Sequence, residues 1–227
     1  MERSQKLLNA VGLYKNAING GNIDVIDQYV GDRYTQHSTP VKDGRDGFRE
    51  FFEDFLQRNP KRDIQIIRAI EEGQYVFLHA FQNLNDGKDQ WVTMDFFDTD
   101  QNHKLIEHWD IIAEYSDKTP SGHTSVDGPT EVEDLDKTGE NKALVQNMIR
   151  DVLMPGGNPY NIDQYISSET YIQHNRDVAD GLEPFKALAI NPGKPLVYDE
   201  IFLCVAQGNF VATLCRARWE GAPYAQA

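Results

Sequence analysis

The spacing of hydrophobic and polar residues changes period several times along the chain. Over residues 2–19, Leu7, Val11, Tyr14 and Ile18 recur at intervals of three and four, which predicts an amphipathic helix. A short second helix is expected over 22–30, followed by an extended or loop segment. In GFREFFEDFLQRN (Gly47–Asn59), Phe48, Phe51, Phe52 and Phe55 fall on one helical face. Strand-like segments then follow at Asp63–Glu71, Tyr75–Asn83, Gln90–Asp98 and Lys104–Tyr115. Gly73, Asn85-Asp86-Gly87 and the stretch Asp100–His103 separate them as hairpin turns. Helices first and an antiparallel meander afterwards predict an α+β domain, with the helices on one face of a strongly curved sheet. A sheet curled around a helix makes a cone, and its open end is a pocket.

The same succession begins again further on. YTQHSTPVKDG at Tyr34–Gly44 returns as YIQHNRDVADG at Tyr171–Gly181. Upstream, GGN and IDQYV at Gly20–Asn22 and Ile26–Val30 match GGN and IDQYI at Gly156–Asn158 and Ile162–Ile166. Downstream, Phe48 matches Phe185, and EGQYVF at Glu72–Phe77 is similar to QGNFVA at Gln207–Ala212. The pattern is a tandem duplication whose unit is long enough to bury its own core. It predicts a first domain over 1–115, an acidic linker containing Pro and Gly over 116–139, and a second domain over 140–227. In the second copy a helix is expected at Asn141–Met154 and strands at Pro195–Ala206 and Asn209–Glu220. The chain reaches GAPYAQA where the first copy starts MDFFD, so the later strands of the second domain are expected to be missing through truncation.

Composition narrows the partners. A formal charge of −14 and a pI near 4.8 make nucleic acid and anionic membrane poor partners, and no apolar run approaches a membrane span. Cys204 and Cys215 flank the turn at Gln207–Asn209 in a register that keeps the thiols apart, so reduced thiols in a cytoplasmic protein are expected.

YxQHxxxVxDG, the GF…FF helix, EGQYVFLH and the close DFF…KLIEHWD together resemble SnoaL-like proteins of the nuclear-transport-factor-2-like superfamily. The resemblance is complete in the first copy and partial in the second. It implies two tandem cone-shaped α+β barrels and a pocket enzyme with no tightly bound cofactor. Members of the superfamily include aldol-type polyketide cyclases, isomerases, dehydratases and epoxide hydrolases, while others only bind ligand or associate. An intrachain pseudo-dimer or a homo-oligomer through the sheet faces is therefore expected, with a small molecule as ligand or substrate.

Aldol-type cyclisation requires a base beside a carbonyl and a donor for the resulting enolate. The resemblance places the acid/base group on the later strands, where the matching residues are Asp95, His108 and Asp110. Alternation puts His108 with Asp110 on one strand face and Glu107 with Trp109 on the other. Trp91, Thr93 and Asp95 likewise share a face. His79 and His37 are further acid/base candidates, and Tyr34, Phe52, Trp91 and Trp109 are candidates for substrate contact. Two roles are open to His37 and its duplicate His174: a contact at the mouth of the cone, or a tie holding an irregular segment. A dehydratase on the same pocket and a non-catalytic tandem binding module are the competing functions. The six histidines lack close ligand spacing, so no metal is expected.

Overall fold

The helical face read from the first residues is buried: Leu7, Val11, Tyr14 and Ile18 all lie in the core of a computed structural model of the chain. The structure describes residues 3–190, 196–219 and 225–226. The expected element ends at residue 2, Pro195 and Glu220, and most of GAPYAQA, lie outside these residues. The chain divides into two units, Met1–Tyr115 and Ser116–Ala227.

In the first unit, α1 (Gln5–Gly12) starts at Ser4, whose hydroxyl accepts the Leu7 amide, and runs on into a π-helical stretch, Leu13–Asn19. A 3₁₀ turn (Ile23–Val25) and α2 (Ile26–Tyr29) lead into β1 (Val30–Gln36), so the phrase at Tyr34–Gly44 begins as strand through Gln36. Then come α3 (Gly44–Arg58) and four strands: β2 (Arg62–Glu72), β3 (Tyr75–Leu84), β4 (Asp89–Thr99) and β5 (Leu105–Glu114). The sheet order is β1-β5-β4-β3-β2. The expected meander is there, antiparallel from β2 to β5, but β1 adds a fifth strand that runs parallel to β5. Its polar Gly31-Asp32-Arg33 interior hid it from a reading based on alternation.

The side of the sheet carrying Val76, Leu78, Ala80, Phe97 and Leu105 packs on α1, the π-helical stretch and α3. Phe48 is buried beneath α3 and meets Phe52 at 4.4 Å between ring centroids. Asp43 precedes α3, and its carboxylate reaches back to accept the Gln36 amide at 2.7 Å instead of capping the helix. Gly44 takes φ +81, a left-handed conformation that a β-carbon would strain, so Asp-Gly turns the chain into α3.

The second unit carries α4 (Thr138–Met148) with a π-helical extension (Ile149–Leu153), a 3₁₀ stretch (Pro159–Gln164) and α5 (Leu182–Ile190). A sheet of β6 (Leu196–Gln207), β7 (Phe210–Trp219) and β8 (Ala225–Gln226) follows, in that order. Val145, Met148, Ile149 and Val152 face the core, while Leu144 is exposed. Glu133 and Asn209 bond reciprocally, and His174 Nδ1 meets Thr124 O at 2.7 Å, so the Pro/Gly-containing segment lies along this unit. Neither cysteine is in a disulfide, with Cys204 opposite Thr213 and Cys215 opposite Ile201. The two-residue turn at Gly208-Asn209 and the register shift between Ile201 and Leu203 set these pairs, and the two thiols stay apart as expected.

Candidate active site

The inner face of the first unit encloses a cavity of about 150 Å³. Apolar groups dominate its lining: Leu13 and Ile18 from the π-helical stretch, Phe48, Phe51, Phe52 and Phe55 from α3, and Phe97 and Ile112 from the sheet. The π-helical widening places two consecutive residues, Leu13 and Tyr14, on the cavity side. Polar groups in the lining are fewer and connected. Thr93 and Asp95 come from β4, His108 and Asp110 from β5, Gln36 from β1 and Ser38 from the loop after it.

Strand pairing assembles this cluster. Asp95 stands directly opposite Asp110 across β4 and β5, and Gln36 opposite His108 across β1 and β5. His108 Nε2 lies 3.0 Å from Asp95 Oδ1, and Nδ1 lies 2.7 Å from Gln36 Oε1. That same Gln36 oxygen accepts the Ser38 amide at 3.0 Å, which identifies it as the carbonyl and makes His108 Nδ1 a donor. Thr93 donates to Asp95 Oδ2 at 2.8 Å, and Ser38 donates to Asp110 Oδ2 at 2.8 Å. With Nδ1 protonated, a hydrogen bond between Nε2 and Asp95 requires a second proton. The pair is therefore imidazolium with carboxylate, or neutral imidazole with carboxylic acid. In either form it stores a proton inside the apolar cavity.

Electrostatics follow from this crowding. Burial pushes the Asp110 carboxyl above its usual range and Asp95 adds to the rise, while His108 and the Ser38 hydroxyl oppose it. The Tyr14 phenol, fully buried and facing Asp95 and Thr93, is pushed well above its ordinary value by burial first and by Asp95 next. Tyr34 is raised in the same way, by burial and then by Asp95 and Asp110. Its ring lies nearly parallel to His108 at 6.4 Å, and the nearby Gln36 side chain opposes the rise, although among the described residues its hydroxyl meets no partner in full hydrogen-bonding geometry. His108 is stacked on its other neighbour, Phe97, at 4.7 Å. Asp95, His108 and Asp110 offer ligand atoms within 4.8 Å of one another, a spacing that would also admit a metal ion.

Of the residues singled out in the sequence, the cavity brings together Asp95, His108, Asp110, Tyr34 and Phe52. Four others lie elsewhere. His79 is buried beside Arg68, with Nδ1 3.1 Å from the guanidinium, on a β3 position that alternates with the core-facing Leu78 and Ala80. His37 stacks on Trp109 at 5.0 Å and pairs with Glu107 at 2.9 Å, on the β5 face opposite to His108 and Asp110. Trp91 shares the face of Thr93 and Asp95 but sits beyond the cavity lining. Gln36, Ser38, Thr93 and Tyr14 join the site without having been singled out as its residues. Gln36 carried a signal in its recurrence as Gln173, whereas Ser38 carried none, because its counterpart is Asn175.

A cone-shaped α+β domain that encloses one apolar cavity around an imidazole and two carboxylates defines the class of the first unit. Residues 11–108, most of the first unit, match the family model of the SnoaL-like domain. Solved structures similar to this chain include a protein of Bacillus cereus ATCC 10987 described as a candidate polyketide cyclase. It is 16% identical, covers 47% of this chain and 74% of its own, and has a TM-score of 0.43. A similarly described protein of Acidithiobacillus ferrooxidans is 18% identical over 49% of this chain and 91% of its own, with a TM-score of 0.43. A SnoaL-like polyketide cyclase of Agrobacterium tumefaciens is 17% identical over 48% and 93%, with a TM-score of 0.41. Comparison with curated proteins gives no match. Among the described residues no helix is long and apolar enough to cross a membrane.

Proposed function

We propose that the first unit is an acid/base enzyme of the cyclase or isomerase type, acting on a small and largely apolar carbonyl compound without a cofactor. The observation that carries this reading is the hydrogen-bonded His108–Asp95 pair set beside Asp110 in an apolar cavity. Asp110, ionised, takes the proton from the carbon next to the carbonyl. The electron pair moves onto the carbonyl oxygen to give an enolate. In an aldol closure the enolate carbon attacks a second carbonyl, whose oxygen becomes an alkoxide and takes the proton held by His108 and Asp95. Exchange with solvent returns the proton from Asp110 to the pair. Gln36 keeps Nδ1 protonated, which directs Nε2 to the transferred proton. Positioned acid/base groups of this kind contribute roughly 10²–10⁴-fold.

The test needs no knowledge of the natural substrate. Exchange of the α-protons of 2-tetralone in D₂O, followed by NMR, reports enolisation directly. The wild type should exceed the buffer rate, and Asp110→Asn and His108→Gln should fall towards that rate. Exchange at the buffer rate by the wild type, or undiminished exchange by Asp110→Asn, would overturn the assignment.

A further inference from the structure

Trp91 stands on the cavity-facing side of β4, next in alternation to residues that line the cavity. It alternates with Thr93 and Asp95, both of which line the cavity, yet it lies beyond the lining and is 37% exposed. Its neighbours on that face are informative. Directly opposite on β3 is Gln82, a cavity residue, and opposite Thr93 on β5 is Ile112, another cavity residue and 55% exposed. Side chains directly across a ladder are about 5 Å apart and diagonal ones about 7 Å, so the indole continues the cavity wall outwards along the sheet. Glu114 faces Trp91 on its other side, which gives the apolar strip a polar edge.

We infer that Ile112 and Trp91 form an outer subsite for an apolar extension of the ligand, which makes the substrate an elongated carbonyl compound rather than a compact one. This rests on the carbonyl reading of the cavity and deepens it. The carbonyl end is held among Asp95, His108 and Asp110, and the tail leaves past Ile112 to lie on the indole face. Geometry favours a ligand over a second protein here, because the strip is continuous with the cavity through Gln82 and Ile112.

The test is a homologous series of methyl ketones, 2-hexanone to 2-undecanone, with dissociation constants measured by calorimetry on the full chain. In the wild type each added methylene should tighten binding, about twofold where one side of the chain is covered and more where the cavity encloses it. Trp91→Ala should bind 2-hexanone within twofold of the wild type and lose the gain for the longest members. Trp91→Phe should restore part of it. Equal slopes for wild type and Trp91→Ala would overturn the subsite, as would a wild-type series that stops gaining affinity once the cavity is filled. Asp110→Asn should keep the wild-type slope. Chain-length dependence without α-proton exchange would therefore sink the catalytic reading and leave the subsite standing, and the reverse result would do the opposite.

Discussion

The bond between Asp43 and the Gln36 amide offers a direct measure of what the duplicated phrase does. Asp43 Oδ1 accepts that amide at 2.7 Å, and Asp180 Oδ1 accepts the Gln173 amide at 2.7 Å in the second unit. A hydrogen bond to a charged group contributes about 1.5–3 kcal/mol, and the exposed setting of the first argues for the low end. Asp43 also precedes the first turn of α3, where a negative charge adds about 0.3–1 kcal/mol. Asp43→Ala should therefore destabilise the first unit by about 2 kcal/mol, a fall in Tm of several degrees for a unit of this size. Asp43→Asn keeps an acceptor and loses the charge, so about half the loss is expected. Amide hydrogen exchange by NMR localises the effect: Gln36 should exchange about tenfold faster or more in Asp43→Ala, with Gln173 as the internal control. Asp180→Ala should reverse the two roles. Unchanged exchange at Gln36 in Asp43→Ala would refute the reasoning, and so would an Asn variant as damaged as the Ala variant.

Three further outcomes follow from the site. Burial and then Asp95 raise the Asp110 carboxyl in the folded protein. Its contribution to stability is therefore complete below the unfolded value of 3.8 and is lost as pH rises through the higher folded value. Asp110→Asn should accordingly unfold at higher temperature than the wild type at pH 7, with the difference shrinking in acid, while α-proton exchange falls; a lower Tm at pH 7 would contradict this sign. Gln36→Leu leaves both the His108 Nδ1 proton and the Ser38 amide without their acceptor, so a loss of about 2–4 kcal/mol is expected in urea unfolding, and a loss below 1 kcal/mol would refute the shared-acceptor geometry. Tyr34→Phe removes a buried hydroxyl that meets no partner in full hydrogen-bonding geometry among the described residues and should stabilise the unit by about 1 kcal/mol, whereas a clear fall in Tm would show that Gln36 or water satisfies the hydroxyl in solution.

How much of this could be read from residues alone depended on whether the signal was periodic. The Phe48–Phe55 face, the four meander strands and their turns came through, because period and turn chemistry are local properties. β1 did not, since Gly31-Asp32-Arg33 looks like a loop until β5 supplies the partner ladder. On β5, alternation alone separated His108 and Asp110 from Glu107 and Trp109, and the cavity lies on the side of the former. Alternation could not place His79, because knowing which β3 face turns inward requires the helix that covers it. Tyr14 shows a different limit. Its helical spacing marked it as core, and only the π-helical widening and the facing Asp95 reveal a phenol among the site's polar groups.

The two copies of the phrase separate the role of its histidine from that of its glutamine. His37 pairs with Glu107 and stacks on Trp109, away from the cavity; His174 meets Asp127 at 2.8 Å and the Thr124 carbonyl. In both units the imidazole ties the phrase to an acidic residue of another segment, and in neither does it reach a pocket described here. Gln36 and Gln173 also repeat a framework role. Each has its amide bound by the phrase's own aspartate, and each side-chain oxygen accepts the amide two residues on, from Ser38 or Asn175. The tyrosines repeat as well, edge-on to Phe48 at 5.6 Å and to Phe185 at 5.9 Å. The difference lies in what the glutamine oxygen has left to accept. In the first unit its remaining capacity goes to His108 on β5, whereas in the second it goes to the His174 amide within the phrase. The phrase is thus a scaffold that, in the first unit, also meets the imidazole of the proposed site through its glutamine, so a variant that disturbs His37 should act on stability before it acts on turnover.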